Sequence, residues 1–444
     1  MTPIPYRPEI SAMRISLRPL AAAGTSVLVA GTVLVAGSAT AGAPQVRAGA
    51  PLLARSAVDA PGQQASTLNG HGLYKVRLAN TADGRIHVSW KWKKSRSSRL
   101  KKWKIVTSTS RKMDTDVKVY HVKAKKRSTV VSHSASVTPA SGDYTFVKVW
   151  SKPKHGKAHG STTHWIQAPV TATPSGVGSA VIGTFNVRSA VVNDSGAQAW
   201  PNRRQKVIDT IKASGAGIVN LQEASGNDSH GSLTQLQDIT NGTGMVAAST
   251  AHFAGASGSQ GTRIIYDPNR YTLVRGSEGN MRLNVGDRYI EWAEFTDNQN
   301  PNVTFWDISM HLVSGTAPSL EPVRVQEAQQ IIAKARALHA RDGKQVFLAG
   351  DSNSTIYTRP KGLVHRTFIG AGFYDAFATT NITNQAYPTT NDFHFPVKPS
   401  PHRRDVILSY GGAQGSYWYK NLVYNSASQL ASDHFMQVAD MPVS

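Results

Sequence analysis

The chain has 444 residues, 49 Lys and Arg against 27 Asp and Glu, and no Cys. Without Cys there is no disulfide framework, thiolate zinc site, iron–sulfur cluster or thiol nucleophile to consider. A hydrophobic content of 40% with 9 Trp excludes a chain disordered throughout, and 37 Gly with 22 Pro excludes a collagen-like one.

The charge is unevenly placed. Residues 1–70 carry 5 basic and 2 acidic residues, residues 71–170 carry 22 and 4, and residues 171–444 carry 22 and 21. One segment of 100 residues therefore holds a net +18 of the chain's +22 and contains no Glu. Such asymmetry suits an anionic partner for that segment and a different task for the remainder.

In chain order, Arg7, Arg14 and Arg18 precede an uncharged run with the apolar centre Ser26–Gly37, and Ala39-Thr40-Ala41 follows as a small-residue cleavage pattern. This tripartite arrangement predicts a secretory signal peptide over 1–41 and a secreted, extracellular mature chain. The apolar centre is shorter than the roughly 20 residues a spanning helix needs, so no transmembrane segment is expected in the mature chain. Residues 42–71, rich in Ala, Gly, Gln, Ser and Pro, read as a flexible linker.

Over 72–170, alternating or β-rich stretches occur at Leu73–Leu78, Arg85–Trp92, Lys104–Ser108, Val117–Val122, Thr129–Val137, Tyr144–Trp150 and Thr162–Ala168. About seven short strands in about 100 residues predict a small all-β, immunoglobulin-like sandwich. Two stretches resemble a fibronectin type III domain: Arg85–Trp92 with Trp90 as a core tryptophan, and Val137–Val149 with Tyr144 at a tyrosine corner. Basic residues cluster here among aromatics. Lys91, Lys93, Lys94, Lys101, Lys102, Lys104, Lys125, Lys126 and Arg127 are the candidate nucleic-acid contacts. So one-sided a charge predicts a polyanion partner. Nucleic acid is the leading candidate, with cell-wall polymer or anionic lipid as alternatives. Trp90 and Trp103 are expected in the core rather than at a partner.

A Thr-Ala-Thr-Pro-Ser-Gly stretch opens a linker at 171–178, and the pattern then becomes mixed. Strand-like runs appear at Ala180–Val187, Gly217–Leu221, Thr262–Tyr266, Ile290–Phe295, Val303–Leu312, Gln345–Gly350, Val406–Tyr410 and Phe435–Ala439. Helical spacing marks Val207, Ile208 and Ile211, and the stretch Val323–Leu338. Polar residues fall where these strands begin or end: Asn186, Glu223, His311, Asp351, Asn353, Asp405, Asp433 and His434. Chemically active side chains at strand ends make a site on a rigid scaffold. Asn186, Glu223, Asp351, Asn353 and Asp433 offer hard oxygens, which suit Mg²⁺ or Mn²⁺, with Ca²⁺ also admissible, rather than zinc.

Taken in order, Thr184-Phe-Asn-Val, Leu221-Gln-Glu, Met310-His-Leu, Gly350-Asp-Ser-Asn, Arg404-Asp-Val-Ile-Leu and Ser432-Asp-His resemble the endonuclease/exonuclease/phosphatase superfamily, deoxyribonuclease-like members included. The resemblance covers 179–444. It implies an α/β four-layer sandwich, two β-sheets flanked by helices, and metal-dependent hydrolysis of a phosphoester by water. It also implies roles. Glu223, Asn186 and Asp433 would hold the metal. Asp351 and Asn353 would orient the attacking water or hold a second metal. Asp405 would fix the tautomer of His434, the base or phosphate stabiliser, and His311 would contact a phosphate oxygen or assist the leaving group. In the deoxyribonuclease branch an acidic residue supports the first histidine, and Glu291 and Glu294 are the candidates here. The expected function is a secreted nuclease, active as a monomer. Alternatives are a sphingomyelinase or phospholipase C, for which Tyr417-Trp418-Tyr419 would supply an inserting hairpin, a phosphatase, or a non-catalytic polyanion-binding surface protein.

Overall fold

The computed structural model describes residues 73–80, 85–93, 100–124, 130–138, 144–153, 158–161, 163–167, 174–192, 194–224, 234–249, 261–283, 288–355, 362–379, 381–385, 387–398, 400 and 402–444. The expected signal peptide and the linker 42–71 lie outside them, as do Lys94, Lys125, Lys126, Arg127 and the side chains of Lys93, Lys101 and Tyr144. No helix among the described residues is long and apolar enough to cross a membrane.

Residues 73–167 form strands β1 (Leu73–Asn80), β2 (Ile86–Lys93), β3 (Leu100–Ser108), β4 (Lys118–Lys123), β5 (Val130–Val137), β6 (Tyr144–Pro153), β7 (His159–Gly160) and β8 (His164–Gln167). They make two antiparallel sheets, β1-β2-β5 and β4-β3-β6-β7, with β8 also paired to β6. Alternation along a strand sends every second side chain to the same face. Ile86, Val88, Trp90 and Trp92 therefore point inward from β2, and Trp103 and Ile105 from β3. The Trp103 ring meets Trp90 and Trp92 edge-on, at centroid distances of 5.5 and 6.0 Å. These indoles are interior and not available to a partner. The residues between them face out, so Lys91, Lys102 and Lys104 lie on outer faces.

From residue 178 the chain builds two seven-stranded sheets. Strands β9 (Gly178–Asn186), β10 (Ile218–Gln222), β11 (Val246–Ala247), β12 (Thr262–Tyr266), β19 (Ile382–Thr383), β21 (Trp418–Asn421) and β22 (Gln437–Val443) make the first, in the order β11-β12-β10-β9-β22-β21-β19. The second holds β13 (Tyr271–Leu273), β14 (Gly279–Arg282), β15 (Tyr289–Asp297), β16 (Thr304–His311), β17 (Gln345–Asp351), β18 (Tyr374–Asp375) and β20 (Asp405–Tyr410). Its order is β13-β15-β16-β17-β20-β18, with β14 on β15. Helices α1 (Trp200–Ser214) and α2 (Gln235–Thr243) pack on the first sheet, and α3 (Leu320–Asp342) and α4 (Leu363–Gly370) on the second.

Three hydrophobic layers hold this arrangement. Val207 and Ile211 of α1 meet Val181, Phe185 and Val219 on one outer face. Ile331 and Ala335 of α3 meet Ile308, Val346 and Leu348 on the other. The inner faces meet through Ile182, Ile218, Phe305, Phe347, Ile407 and Tyr419. Burying each large apolar side chain contributes about 1.5–3 kcal/mol. The inner faces change character along the strands. Reading every second residue, β9 runs Ala180, Ile182, Thr184, Asn186, β16 runs Phe305, Asp307, Ser309, His311, and β17 runs Phe347, Ala349, Asp351, each buried to 1% exposure or less. The space between the sheets is apolar at one end and polar at the other, and the polar end is where the site lies.

The final strand starts at Gln437 rather than Phe435, because His434 bridges Thr390 and Phe435 N donates to Thr389 O before the ladder begins. Tyr417-Trp418-Tyr419 is no projecting hairpin: Tyr419 is fully buried and donates to Gln437 Oε1 at 2.8 Å.

Candidate active site

Asn186 closes β9, and Glu223 follows β10, whose last residue, Gln222, is the register partner of Asn186. On β10, Ile218, Asn220 and Gln222 face the second sheet, so regular alternation would send Glu223 to the helix side. Glu223 instead adopts a left-handed backbone, φ +60°. Its carboxylate turns back into the site, where Asn186 Nδ2 donates to Oε1 at 3.2 Å and Ser189 N to Oε2 at 3.0 Å.

In the second sheet, register alone places three candidates side by side. His311 is opposite Asp351 across β16–β17, and Asp351 is opposite Asp405 across β17–β20. Gly350 permits this, since a Cβ there would lie 1.9 Å from Met310 O. His434 arrives from the loop before β22. Its Nδ1 lies 3.1 and 3.0 Å from the two carboxylate oxygens of Asp405.

One atom joins the two sheets. Asp351 Oδ2 accepts from Asn186 Nδ2 at 3.2 Å and lies 3.6 Å from His311 Nε2 and 3.7 Å from His434 Nε2. Its other oxygen accepts from Asn353 N at 2.7 Å. Asn353, also left-handed at φ +48°, donates its side-chain amide to Leu312 O at 3.0 Å, so it braces the loop and holds Asp351 through its backbone. Ser432 Oγ donates to Asn186 O at 2.7 Å and stands 3.1 Å from Asp433 Oδ1.

Burial and like charge set the electrostatics. Burial, then the neighbouring Asp433, raise the Glu223 carboxyl above its ordinary range. Burial works to lower His434, but Asp405 and Asp351 outweigh it and raise the imidazole to about 10. Burial also opposes ionisation of Asp351, yet His434 and His311 hold it below the usual carboxylate range. His311 is pushed down to about 3 by burial and then by Arg288.

Two groupings bear on a metal. Asp351, Asp405 and His434 each offer a ligand atom within 4.8 Å of the others. In that group His434 Nδ1 is committed to Asp405, which leaves carboxylate oxygens and Nε2. Glu223 and Asp433 form the other, two hard-oxygen carboxylates close enough that Asp433 disfavours the ionisation of Glu223. A cation relieves such a pair, and Arg188, 3.7 Å from Asp433, supplies part of that charge. The donor set fits a hard divalent ion. Asn186 enters differently from expectation: Oδ1 accepts from Arg188 N at 3.1 Å, and the amide hydrogens face Glu223 and Asp351. The amide nitrogen, not the oxygen, is the atom it turns to the two carboxylates.

A model described as the endonuclease/exonuclease/phosphatase family matches residues 183–434, more than half of the chain. The chain belongs to this family. Members of the endonuclease/exonuclease/phosphatase family are typically hydrolases of phosphoric esters and typically require a divalent metal. No curated protein matches the chain. Similar solved structures include the endonuclease/exonuclease/phosphatase from Bacteroides vulgatus, 20% identical, covering 60% of this chain and 99% of that one at a TM-score of 0.49. A mannosyl-6-phosphatase from Bacteroides thetaiotaomicron is 18% identical, covering 59% and 98% at 0.48. The human Nocturnin catalytic domain is 16% identical, covering 61% and 96% at 0.46.

The expected acidic support for His311 is absent among the described residues. Glu291 is opposite Ser309, two residues short of His311, and its carboxylate lies 3.7 Å from Arg263. Glu294 points to the helix side, where it meets Arg341 and Lys344. At His311 Nδ1 stands Arg288, at 3.4 Å. Sequence reasoning also missed Arg188 and Arg203. Arg188 pairs with Asp194 through two contacts, at 3.0 and 3.1 Å. Arg203, fully buried on α1, donates to Val187 O, Arg188 O and Ala431 O, tying together the loops that carry Asn186 and Asp433. Its only signal was a charge on the buried stripe of a helix.

Proposed function

We propose that this chain is a secreted phosphodiesterase, dependent on Mg²⁺ or Mn²⁺, that hydrolyses nucleic acid and holds it with a basic β-sandwich module over 72–170. The observation that carries the hydrolytic reading is the meeting of Asn186, His311 and His434 on one oxygen of Asp351. Glu223 and Asp433 would hold the ion, which when bound neutralises phosphate charge as bond order to the leaving oxygen falls. The chain's own groups do the remaining work. Asp405 fixes His434 with Nε2 toward the site, and the doubly protonated ring stabilises negative charge on the phosphoryl oxygens rather than accepting a proton. Asp351, held by the backbone of Asn353, orients the attacking water and takes its proton as the new P–O bond forms, and the departing oxygen takes a proton from His434 Nε2. His311 contacts a phosphoryl oxygen, and Arg203 keeps the flanking loops in place.

The pairing β1-β2-β5 in one sheet and β4-β3-β6-β7 in the other, with β8 also on β6, supports the fibronectin type III-like reading of the module. On its outer face Lys102 lies opposite both Lys123 and Lys152, three lysines in one cross-strand row. Like charges directly opposite destabilise a sheet, which favours a role with an anion over a structural one. Trp150 packs against Gly160 and under Lys148 at 4.7 Å, so the face reads phosphates rather than stacking bases. Arg111, on the turn between β3 and β4, is within electrostatic reach of His402, three residues before Asp405; partial burial, Arg404 and Arg111 together lower that imidazole.

Pure protein incubated with plasmid, single-stranded DNA and RNA, with Mg²⁺ and with EDTA, tests the proposal. Metal-dependent cleavage that Asp351→Ala abolishes is expected. Release of phosphocholine from liposomes, with nucleic acids left intact, would move the chain to the phospholipase C class.

A further inference from the structure

We propose that Arg288 is a positioning residue for His311: its guanidinium fixes the imidazole as the tautomer with hydrogen on Nε2, so that His311 donates a hydrogen bond to a phosphoryl oxygen of the substrate. The proposal rests on the phosphodiesterase reading for its substrate and on geometry alone for its tautomer.

The two side chains are brought together by register. Ile290 of β15 lies opposite Met310 of β16, so the residues just before Ile290 border His311, which ends β16. Arg288 is 7% exposed, with Nη1 3.4 Å from His311 Nδ1 and Nη2 donating to Ser314 Oγ at 3.0 Å. A guanidinium carries donors only. A ring nitrogen facing it must therefore present its lone pair, and the single hydrogen of the neutral ring sits on the other nitrogen. That nitrogen, Nε2, is directed toward the side of the site where Asp351 Oδ2 lies 3.6 Å away. It makes no hydrogen bond among the described residues, although His311 is only 1% exposed. A buried N–H without an acceptor is costly, and a phosphoryl oxygen would complete it.

The alternative partner would reverse the chemistry. A carboxylate at Nδ1 accepts the ring hydrogen there and leaves Nε2 with a lone pair, ready to take a proton. Arg at the same place makes Nε2 a donor. Among the described residues the group at His311 Nδ1 is Arg288, which assigns His311 to holding an oxygen rather than to removing a proton.

The test uses the full chain, Mg²⁺ and a bis-phenyl phosphodiester. Arg288→Gln is expected to lower kcat about 100-fold with KM nearly unchanged, the scale of a missing proton-bearing group. Arg288→Lys, which keeps donors at Nδ1, should restore activity to within about 10-fold of wild type, since both side chains carry donors only. Because Arg288 acts through His311, the double variant Arg288→Gln/His311→Ala should be no slower than His311→Ala alone. Losses that multiply would overturn the proposal, as would full activity in Arg288→Gln. Nitrogen NMR of the histidine rings, with the His311 signals identified by their loss in His311→Ala, reads the tautomer without turnover. Hydrogen on Nδ1 in the wild type would overturn the proposal even in an active enzyme. Absence of hydrolysis would refute the phosphodiesterase reading, and the tautomer would then decide the role of Arg288 alone.

Discussion

At the scale of single residues, charge is concentrated where chemistry is expected. Glu223 has a carboxyl raised by burial and by Asp433, so the stability its neutral form contributes is complete below the unfolded carboxyl's value and is lost as pH rises through the raised one. In EDTA at pH 7, Glu223→Gln should unfold at a temperature equal to or above wild type. Adding Mg²⁺ should raise the wild-type midpoint and leave the variant's almost unmoved. Thermal denaturation with and without metal checks both, and an equal metal-induced rise in the two proteins would remove Glu223 from the metal site. His434 carries the opposite sign. Its ring is raised from 6.5 to about 10 in the folded chain, so the charged form adds stability that is complete below pH 6.5 and is lost as pH climbs through 10. In EDTA the stability advantage of wild type over His434→Gln should shrink by about 1.4 kcal/mol per pH unit across that window. Denaturant melts from pH 6 to 10.5 measure it, and a difference independent of pH would mean that the ring is neutral.

Elements explain why some residues were legible in the sequence and others were not. Asn186, His311 and Asp351 were readable because each ends an apolar strand, where a polar residue breaks the pattern. The structure places all three on inward-facing positions. Glu223 was readable as a motif, yet its direction was not, because only the left-handed turn after β10 aims it. Arg288 and Arg203 act across sequence separations of 23 and up to 228 residues, and no local period encodes such contacts. Short edge strands such as β11 and β19, two residues each, are too brief to show alternation. Helix α2 carries a local signal of its own: Thr234 and Gln237 form a capping box at its start. The β16–β17 contact is the most demanding element. Gly350→Ala would set a Cβ 1.9 Å from Met310 O, so the parallel pair must part where it aligns His311 with Asp351. A midpoint fall of several degrees is expected, larger than for Gly370→Ala, where a Cβ meets nothing within 4 Å. Paired thermal melts of the two variants check this, and equal midpoints would show that the strands accommodate the methyl.

For the whole molecule, the proposed division of labour makes charge on one module and chemistry on the other separable. The net +18 of residues 71–170 contrasts with 22 basic and 21 acidic residues over 171–444. If the outer face of β4-β3-β6 holds a phosphate chain, Lys102, Lys123 and Lys152 act on binding and not on bond cleavage. Reversing two of them, Lys102→Glu and Lys152→Glu, should leave hydrolysis of a small phosphodiester unchanged, because that substrate is too short to reach the row. Binding of a long oligonucleotide, read by fluorescence anisotropy in EDTA, should weaken, and its dependence on log salt should flatten by about 1 for each phosphate the row no longer neutralises. Tethering raises local substrate concentration only for a polymer that spans both parts. The weakening should therefore grow with oligonucleotide length and disappear for a dinucleotide. An equal weakening at every length would place the lysines at the active site itself, and none at any length would return the row to a solubilising role.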